Sequence, residues 1–336
     1  IVEFVLKKKR RNVLDYAWNY YPSLGEIEEW MNKTVEAHPD VATLVTAGIS
    51  VEGRYIRGIK IDFKKRPNPV IAMVEGTLHA REWISPVVST WLINEFLTSS
   101  DEDIRALAEN VVWHIFPVVN PDGFVYSFTD NRMWRKNRSR SDDLSNVVGG
   151  SQNPCMQTYA GPTAFSEPES RAIANYVRRL QGEGNLLYYF SFHSFSNMIL
   201  VPYSHLGGED VLEAPNYADM FEIAIKGADA LEARHGTKYM VGTSKDILYE
   251  VGGAGFDWVK GGANVTLVFL FEFRDNGDYG FLLPAEQIIP NSEEVLDALI
   301  EMDKVTRSLG YYRASAGTIR SSGLLIVLAV FAFIRF

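Results

Sequence analysis

The chain of 336 residues is 46% hydrophobic and 22% charged, enough apolar material for the core of one large α/β domain or two small ones. Its formal net charge is −9 at pH 7, and no basic stripe runs through the body of the sequence, so nucleic-acid binding is excluded as a first hypothesis. Cys155 is the only cysteine, which excludes an intrachain disulfide.

The first marked charge pattern is the basic run from Lys7 to Arg11. Most such runs are simply solvated segments. A dense basic run can also be an exposed cleavage site between a pro-segment and an enzyme. We therefore predict that residues 1–11 are the end of a pro-segment with a basic processing site, with the solvated segment as the alternative.

Strand-like and helix-like segments alternate along the rest of the chain. The predicted strands are short apolar runs: Thr43–Val45, Ile56–Ile61, Val70–Val74, Val111–Val119, Leu186–His193, Met198–Val201 and Val265–Phe273. The predicted helices carry apolar residues at the helical period: Leu24–Ala37, Ser85–Leu97, Ile104–Glu109, Glu167–Leu180, Tyr217–His235 and Pro284–Leu309. This alternation predicts an α/β fold with a mixed, mostly parallel twisted sheet covered by helices on both faces.

The chain shows no internal repeat and no linker rich in Gly, Ser or Pro that would divide it. We therefore predict a single domain over residues 12–313. In open α/β sheets the ligand site lies beyond the carboxyl ends of the central strands, so chemistry-bearing residues that directly follow strands are the first candidates for a functional site.

An unbroken apolar stretch of eleven residues, Leu324–Ile334, lies near the C-terminus. A bilayer span needs about 20 residues, so this stretch is too short for an ordinary transmembrane helix. Its length suits the tail of a GPI-attachment signal, with small residues from Ala314 to Gly317 as the attachment site. We predict that residues 314–336 are an apolar tail and a candidate GPI signal. A docked terminal helix is the weaker alternative, because the stretch has no polar face.

A His and a carboxylate three positions apart, His79 and Glu82, follow the predicted strand Val70–Val74. In the turn that leaves a strand, both side chains can face one point. His193 ends another predicted strand and is the candidate for a third donor. Two histidines and a glutamate form a zinc site with an open fourth position, which is the arrangement for hydrolysis rather than for structure. A single His near an apolar strand is more often a core residue.

The stretch from Glu75 to Ser85 resembles the zinc-binding signature of the M14 zinc metallocarboxypeptidases, in particular their digestive A/B branch, the carboxypeptidase A-like enzymes. Further blocks follow in the family's order: Asn120–Gly123, Asn131–Lys136, Asn153–Cys155, Ser191–Phe195, Tyr249 with Gly252 and Gly253, and Phe271–Gly277. The resemblance covers about Asn12 to Gly310. It implies a secreted zinc exopeptidase that is made as a zymogen with its own pro-segment and acts on the C-termini of peptides or proteins.

The resemblance implies a role for each residue of the catalytic centre. His79, Glu82 and His193 match the ligands of one Zn²⁺ per chain. Glu272 matches the general base that activates the attacking water and passes the proton to the leaving amine. Arg135 matches the arginine that stabilises the oxyanion. Alternatively, Glu272 is a core glutamate paired with Arg274, and Arg135 is a surface arginine.

Three further matches concern the substrate. Arg81 resembles a residue that lines the substrate path, and Tyr249 resembles a mobile tyrosine that closes over the bound C-terminal residue, although it can equally be a packing residue. Phe256 occupies the position at the base of the side-chain pocket. An acidic residue there selects Lys or Arg, and Phe does not, so we expect apolar or aromatic C-terminal residues to be preferred. A smaller pocket is the alternative consequence of Phe256.

The chain departs from the family between Lys136 and Gln152, where relatives carry a longer segment with an Asp-x-Asn-Arg-Asn-Trp block. The family's Asn-Arg pair clamps the substrate's terminal carboxylate, and its Asp orients the first zinc histidine. Arg138, Arg140 or Arg81 are candidate replacements for the clamp, and Asp142 or Asp143 for the Asp. The departure leaves two explanations open: a splice form or an imperfect gene model that lacks the segment, or a protein that exists as written with impaired catalysis.

The sequence therefore predicts a zinc exopeptidase, secreted or extracellular, that removes apolar C-terminal residues, with a GPI anchor as a further possibility at the cell surface. The alternative is a catalytically impaired relative that binds peptides and is held at the membrane by its C-terminal tail. A third hypothesis, an amidase or deacylase acting on a non-peptide acyl substrate, is disfavoured by the matches at Tyr249 and Arg81.

Overall fold

The computed structural model describes residues 16–139, 151, 153, 155–159, 161–207, 210–211 and 213–312. The predicted processing segment, the C-terminal tail, and Arg140, Asp142 and Asp143 lie outside these residues. Within the described ranges, no helix combines the length and the apolar character that a bilayer span requires.

The described chain contains a counterpart of every predicted strand and helix, together with several short elements that the sequence did not predict. The strands are β1 Ala42–Ile49, β2 Tyr55–Ile61, β3 Val70–Gly76, β4 Val112–Phe116, β5 Asn185–Ser194, β6 Met198–Leu200, β7 Leu206–Gly207, β8 Asp210–Val211, β9 Met240–Gly242 and β10 Leu267–Phe273. The helices are α1 Leu24–Ala37, α2 Ile84–Thr98, α3 Glu102–Asn110, α4 Pro121–Thr129, α5 Pro168–Glu183, α6 Tyr217–His235, α7 Ser244–Ile247, α8 Gly255–Gly261 and α9 Ile288–Ser308. Two 3₁₀ turns, Gly280–Leu282 and Ala285–Gln287, precede α9.

Eight strands form one mixed sheet in the order β1-β2-β4-β3-β5-β10-β6-β9. The four central strands β4, β3, β5 and β10 are parallel to one another. Antiparallel pairs lie on both sides of this centre, β1 with β2 and β2 with β4 on one side and β10 with β6 on the other. The prediction of a mixed α/β sheet is confirmed, and its parallel centre places the ends of β3, β5 and β10 at one edge.

Two apolar clusters cover the two faces of the sheet. Along β10, Phe269 and Phe271 join the cluster that also contains α2, α6 and α9, whereas Val268 and Leu270 join the cluster that contains α5 and α8. Because side chains alternate between the faces of a strand, Glu272 continues the row of Val268 and Leu270. The helices therefore cover both faces, as the continuous apolar strands predict.

Two of the differences from the predicted segments have identifiable reasons. The predicted strand Val111–Val119 ends at Phe116, and the helix Pro121–Thr129 that follows was not predicted. Asn120 caps this helix by accepting a hydrogen bond from Gly123 N, and Pro121 occupies its first turn. Pro284 has extended backbone angles and opens a 3₁₀ turn, so the last long helix begins at Ile288 rather than at Pro284.

Candidate active site

The turn after β3 is shaped by Thr77, whose φ is +56°. Its amide donates to Ser85 Oγ at 2.7 Å, and its hydroxyl donates to Pro117 O at 2.8 Å. A β-branched residue rarely adopts this backbone conformation, and such residues concentrate at functional sites. These bonds anchor the turn to α2 and to the residue that follows β4. They direct the segment His79–Glu82 to the carboxyl edge of the sheet.

The register of the central strands brings the remaining candidates to the same edge. His193 of β5 is the direct neighbour of Glu272 in β10. Because the two strands are parallel and adjacent, paired residues project their side chains on the same face. The structure therefore brings His79, Glu82, His193 and Glu272 together, although they lie far apart in the sequence.

Three donor atoms converge on one point. Glu82 Oε1 lies 2.7 Å from His79 Nδ1, and Glu82 Oε2 lies 2.9 Å from His193 Nδ1. The two Nδ1 atoms are 3.0 Å apart. Glu82 and His193 are buried, and the side chain of His79 is 21% exposed. Among the residues that the structure describes, this trio is the one set of His, Cys, Asp or Glu donors close enough to hold a metal ion.

The charges of His79 and Glu82 suit metal binding. Burial lowers the pKa of His79 to about 3 despite the nearby charge of Glu82, so its ring is neutral near pH 7. Burial acts to raise the pKa of Glu82, but the two histidines outweigh it and hold that carboxyl ionised. A neutral imidazole and an ionised carboxylate are the forms that ligate a metal. Burial acts to lower the pKa of His193, but the charge of Glu82 outweighs it and raises that pKa, so a metal would bind there in exchange for a proton. The donor set therefore fits a divalent zinc ion.

Glu272 is half-buried beside this trio. Burial, together with the negative charge of Glu82, raises the pKa of Glu272 to about 8, against the opposing effects of His193 and Arg135. The alternative pairing with Arg274 is not formed, because the Arg274 guanidinium binds Glu294 instead and also reaches Gln287 and Thr237. The Glu272 carboxyl is thus left facing the donor trio.

Two arginines lie on the open side of the trio. Arg135 Nη1 is 3.7 Å from Glu82 Oε1, and both Arg135 and Arg81 are half-buried. The Arg81 guanidinium lies 4.2 Å from the centre of the Phe281 ring. Burial and then the positive charge of Arg135 lower the pKa of Arg81, so the two cations are near enough to repel each other. Arg135 and Arg81 thus bring positive charge close to the donor trio.

Asn120 organises this region, and the sequence analysis assigned it no role. Its Nδ2 donates to Leu78 O and to Lys136 O, each at 3.1 Å. These carbonyls belong to the residues beside His79 and Arg135. Gly123 permits the close approach, since a Cβ there would lie 2.5 Å from Lys136 O. The signal in the sequence was a helix start, Asn followed by Pro, directly after an apolar strand.

Tyr249 is exposed, with 61% of its surface accessible. Its backbone carbonyl accepts a hydrogen bond from Ser244 Oγ at 2.8 Å, which ties the loop base to α7. Gly253 in the same loop has a φ of +74°, a conformation that favours glycine. The side chain of Tyr249 is therefore placed in solvent, where a change of loop conformation can move it.

Phe256 is 3% exposed and packs in the same apolar cluster as Leu78, the residue before His79. The neighbouring Asp257 is also buried, and its carboxylate accepts hydrogen bonds from Ser204 N and Ser204 Oγ. His205 Nδ1 is a further partner at 2.8 Å. The Asp257 carboxylate is therefore already satisfied, and the apolar position beside it is occupied by Phe256.

The Arg138 side chain, a candidate to clamp the substrate carboxylate, is already engaged by neighbouring side chains. Its guanidinium lies 3.7 Å from the centre of the Tyr126 ring and 4.8 Å from that of Trp134, and its Nε is 3.7 Å from Glu52 Oε1. These contacts fix the side chain against α4. Of the described candidate anchors for a substrate carboxylate, Arg81 is the one whose pKa the charge of Arg135 lowers.

Three protein ligands, two His and one Glu, with a second carboxylate beside them are the arrangement of a zinc metallohydrolase. The zinc carboxypeptidase family model matches residues 27–298 of the chain. The chain therefore belongs to the zinc carboxypeptidase family and is a metallocarboxypeptidase, with zinc as its cofactor.

Named relatives agree over most of the chain. It is 40% identical over 310 residues to a zinc carboxypeptidase of Simulium vittatum, an alignment that covers 88% of this chain and 99% of that protein. It is 33% identical over 331 residues to human carboxypeptidase O, covering 94% and 87% of the two proteins. The crystal structure of thrombin-activatable fibrinolysis inhibitor superposes with a TM-score of 0.83 at 28% identity, covering 91% of this chain and 79% of the other. Carboxypeptidase A from Helicoverpa armigera shares the fold, with a TM-score of 0.81 at 23% identity, and covers 91% and 78% of the two chains.

Proposed function

We propose that the protein is a zinc-dependent exopeptidase that removes apolar or aromatic residues from the C-termini of peptides, with Glu272 as its general base. The observation that carries this proposal is the register of β5 and β10, which sets Glu272 beside His193 on the face of the donor trio. A carboxylate next to an open metal position is the arrangement for activating water.

In this proposal His79, Glu82 and His193 hold one zinc ion through the two Nδ1 atoms and the Glu82 carboxylate. When bound, the zinc lowers the pKa of water and polarises the scissile carbonyl. The buried carboxylate of Glu82 balances part of the metal's charge, and its two oxygens lie 2.7 Å from His79 Nδ1 and 2.9 Å from His193 Nδ1, so all three donors can reach one ion.

Glu272 transfers the proton in this proposal, and Arg135 stabilises the developing negative charge. Glu272 accepts the proton of the attacking water and delivers it to the amine that leaves. Arg135 faces the negative charge that develops on the carbonyl oxygen, and it is preorganised because its position beside Glu82 exists before substrate binds. Arg81 contacts the peptide chain at the entrance, and Tyr249 closes over the terminal residue by movement of its glycine-containing loop.

Specificity for apolar termini rests on Phe256 and on the saturated hydrogen bonding of Asp257. A peptide ending in Lys or Arg would bury a charge against Phe256 without a partner. We expect peptides ending in Phe or Leu to have a kcat/KM at least about tenfold higher than matched peptides ending in Lys or Arg, about 1.4 kcal/mol of discrimination.

The assay measures release of single C-terminal amino acids from four peptides that differ only in the last residue, with and without a zinc chelator. Phe256→Asp should shift the preference towards basic termini, and Phe256→Leu should leave it apolar. A preference of the unaltered protein for Lys or Arg would contradict the assignment of Phe256.

A second candidate function follows from the short segment between Lys136 and Gln152. The family's Asp-x-Asn-Arg-Asn-Trp block does not occur in this segment, whereas the donor trio and Glu272 are present. A relative that binds peptide ends but cleaves them poorly fits this combination. The two candidates differ in kcat rather than in zinc content.

For either function we propose secretion and cleavage after the basic run Lys7–Arg11, which would separate an inhibitory pro-segment from the domain. The apolar stretch Leu324–Ile334 supports, in addition, attachment to the cell surface through a lipid. Both proposals rest on sequence patterns outside the described residues.

A further inference from the structure

A line of buried polar side chains lies directly behind His193. Glu75, Ser191 and His193 are each less than 5% exposed, in strands that are otherwise apolar. A buried carboxylate is costly unless it accepts hydrogen bonds. The mechanism above gives neither Glu75 nor Ser191 a role.

The strand register explains the alignment. Glu75 of β3 is the direct neighbour of Ser191 in β5, and His193 lies two residues further along β5 on the same face. Ser191 Oγ is 2.8 Å from Glu75 Oε1 and 3.0 Å from His193 Nε2. The three groups therefore form a continuous chain of hydrogen bonds that ends on the ring of His193.

The direction of these bonds follows from the chemistry of the groups. Ser191 Oγ donates its single hydroxyl proton to Glu75 Oε1, a carboxyl oxygen that accepts it. Ser191 Oγ must then accept from His193, which places the ring proton on Nε2. His193 Nδ1 is left with its lone pair free, and this is the nitrogen that faces Glu82 and His79.

We propose that Glu75 and Ser191 are positioning residues that select the metal-binding tautomer of His193 and fix the orientation of its ring. This inference rests on the proposed role of His193 as a zinc ligand. Hydrogen-bond partners of metal-ligating histidines typically change metal affinity by about 10- to 100-fold when they are removed.

The test compares zinc dissociation constants of metal-depleted protein, measured by competition with a chromophoric chelator. Ser191→Thr and Ser191→Val add a branched side chain of the same shape, so the pair differs in the hydroxyl alone. We expect Ser191→Thr to stay within about threefold of the unaltered protein and Ser191→Val to bind zinc at least about tenfold more weakly. Ser292→Ala, which removes a buried hydroxyl from α9, is the control and should leave zinc affinity unchanged.

Glu75→Gln tests whether the carboxylate acts through Ser191. On its own, Glu75→Gln should weaken zinc binding about tenfold. In combination with Ser191→Val it should weaken zinc binding by no more than a further factor of about three, because Ser191→Val has already removed the hydroxyl that links Glu75 to His193. Equal zinc affinity of Ser191→Thr and Ser191→Val would overturn the proposed role of Glu75 and Ser191. The same holds if the loss of zinc affinity in the double variant equals the product of the losses in the two single variants. Loss of zinc in His193→Ala with unchanged affinity in Ser191→Val would reject that role but keep the ligand assignment.

Discussion

Glu272→Gln is expected to keep zinc bound and to lower kcat by at least about a hundredfold, and up to about ten thousandfold. The amide fills the same space beside His193 but cannot take a proton from water. The loss should appear in kcat, because Glu272 is not among the three converging donors and is not required to bind the peptide. Zinc content and steady-state kinetics of the same preparation measure both parts of the prediction.

The control for this variant is Glu286→Gln, a change of the same chemistry at an exposed position. It should leave both zinc content and kcat unchanged. Hydrolysis by Glu272→Gln at a rate near that of the unaltered protein would show that another group serves as the base.

The second large effect concerns the short segment between Lys136 and Gln152. The chain as it stands is expected to discriminate poorly between a peptide acid and the corresponding C-terminal amide. A charged bidentate contact to a carboxylate contributes roughly 1.5–3 kcal/mol, so insertion of a loop with Asp-x-Asn-Arg-Asn-Trp between Asn137 and Gly150 should raise the acid-to-amide ratio of kcat/KM by about tenfold or more. Hydrolysis of the acid and amide forms of one peptide is measured for both proteins.

The matched control carries the same inserted loop with Ala-Ala in place of Asn-Arg, which separates the clamp from the effect of loop length. If the unaltered chain already prefers the acid strongly, a different arginine holds the carboxylate. Arg81 would then be the first residue to replace, because it is close enough to Arg135 for that charge to lower its pKa, whereas Arg138 is packed against Tyr126.

The sequence predicted the parts of the fold that rest on local pattern. Apolar strands such as Val70–Val74 and the helix Leu24–Ala37 were placed almost as observed, because burial and capping act on neighbouring residues. The helix Pro121–Thr129 was missed because the apolar run of β4 continues to Val119 and hides the change of structure at Pro117. The short helix Gly255–Gly261 has two terminal glycines and no helical apolar repeat that could be recognised.

The candidate site also contains residues that local sequence pattern identifies and residues that only the tertiary fold brings together. His79 and Glu82 are close in sequence, so their spacing alone suggested a metal site. The placement of His193 beside Glu272, and of Glu75 beside Ser191, depends on which strands are neighbours, and strand order is set by long-range packing. The ion pair between Arg274 and Glu294 on α9 likewise joins two distant segments, and no local sequence pattern could reveal it.

The most direct test of this account is the zinc content of purified protein after dialysis, compared with that of His193→Ala and Glu82→Gln. The account predicts about one zinc per chain in the unaltered protein, retained through dialysis, and little or none in either variant, since each loses one of three protein ligands. Circular dichroism of the same samples checks that the variants are folded. Stoichiometric zinc in folded His193→Ala would contradict the assignment of His79, Glu82 and His193 as the metal site.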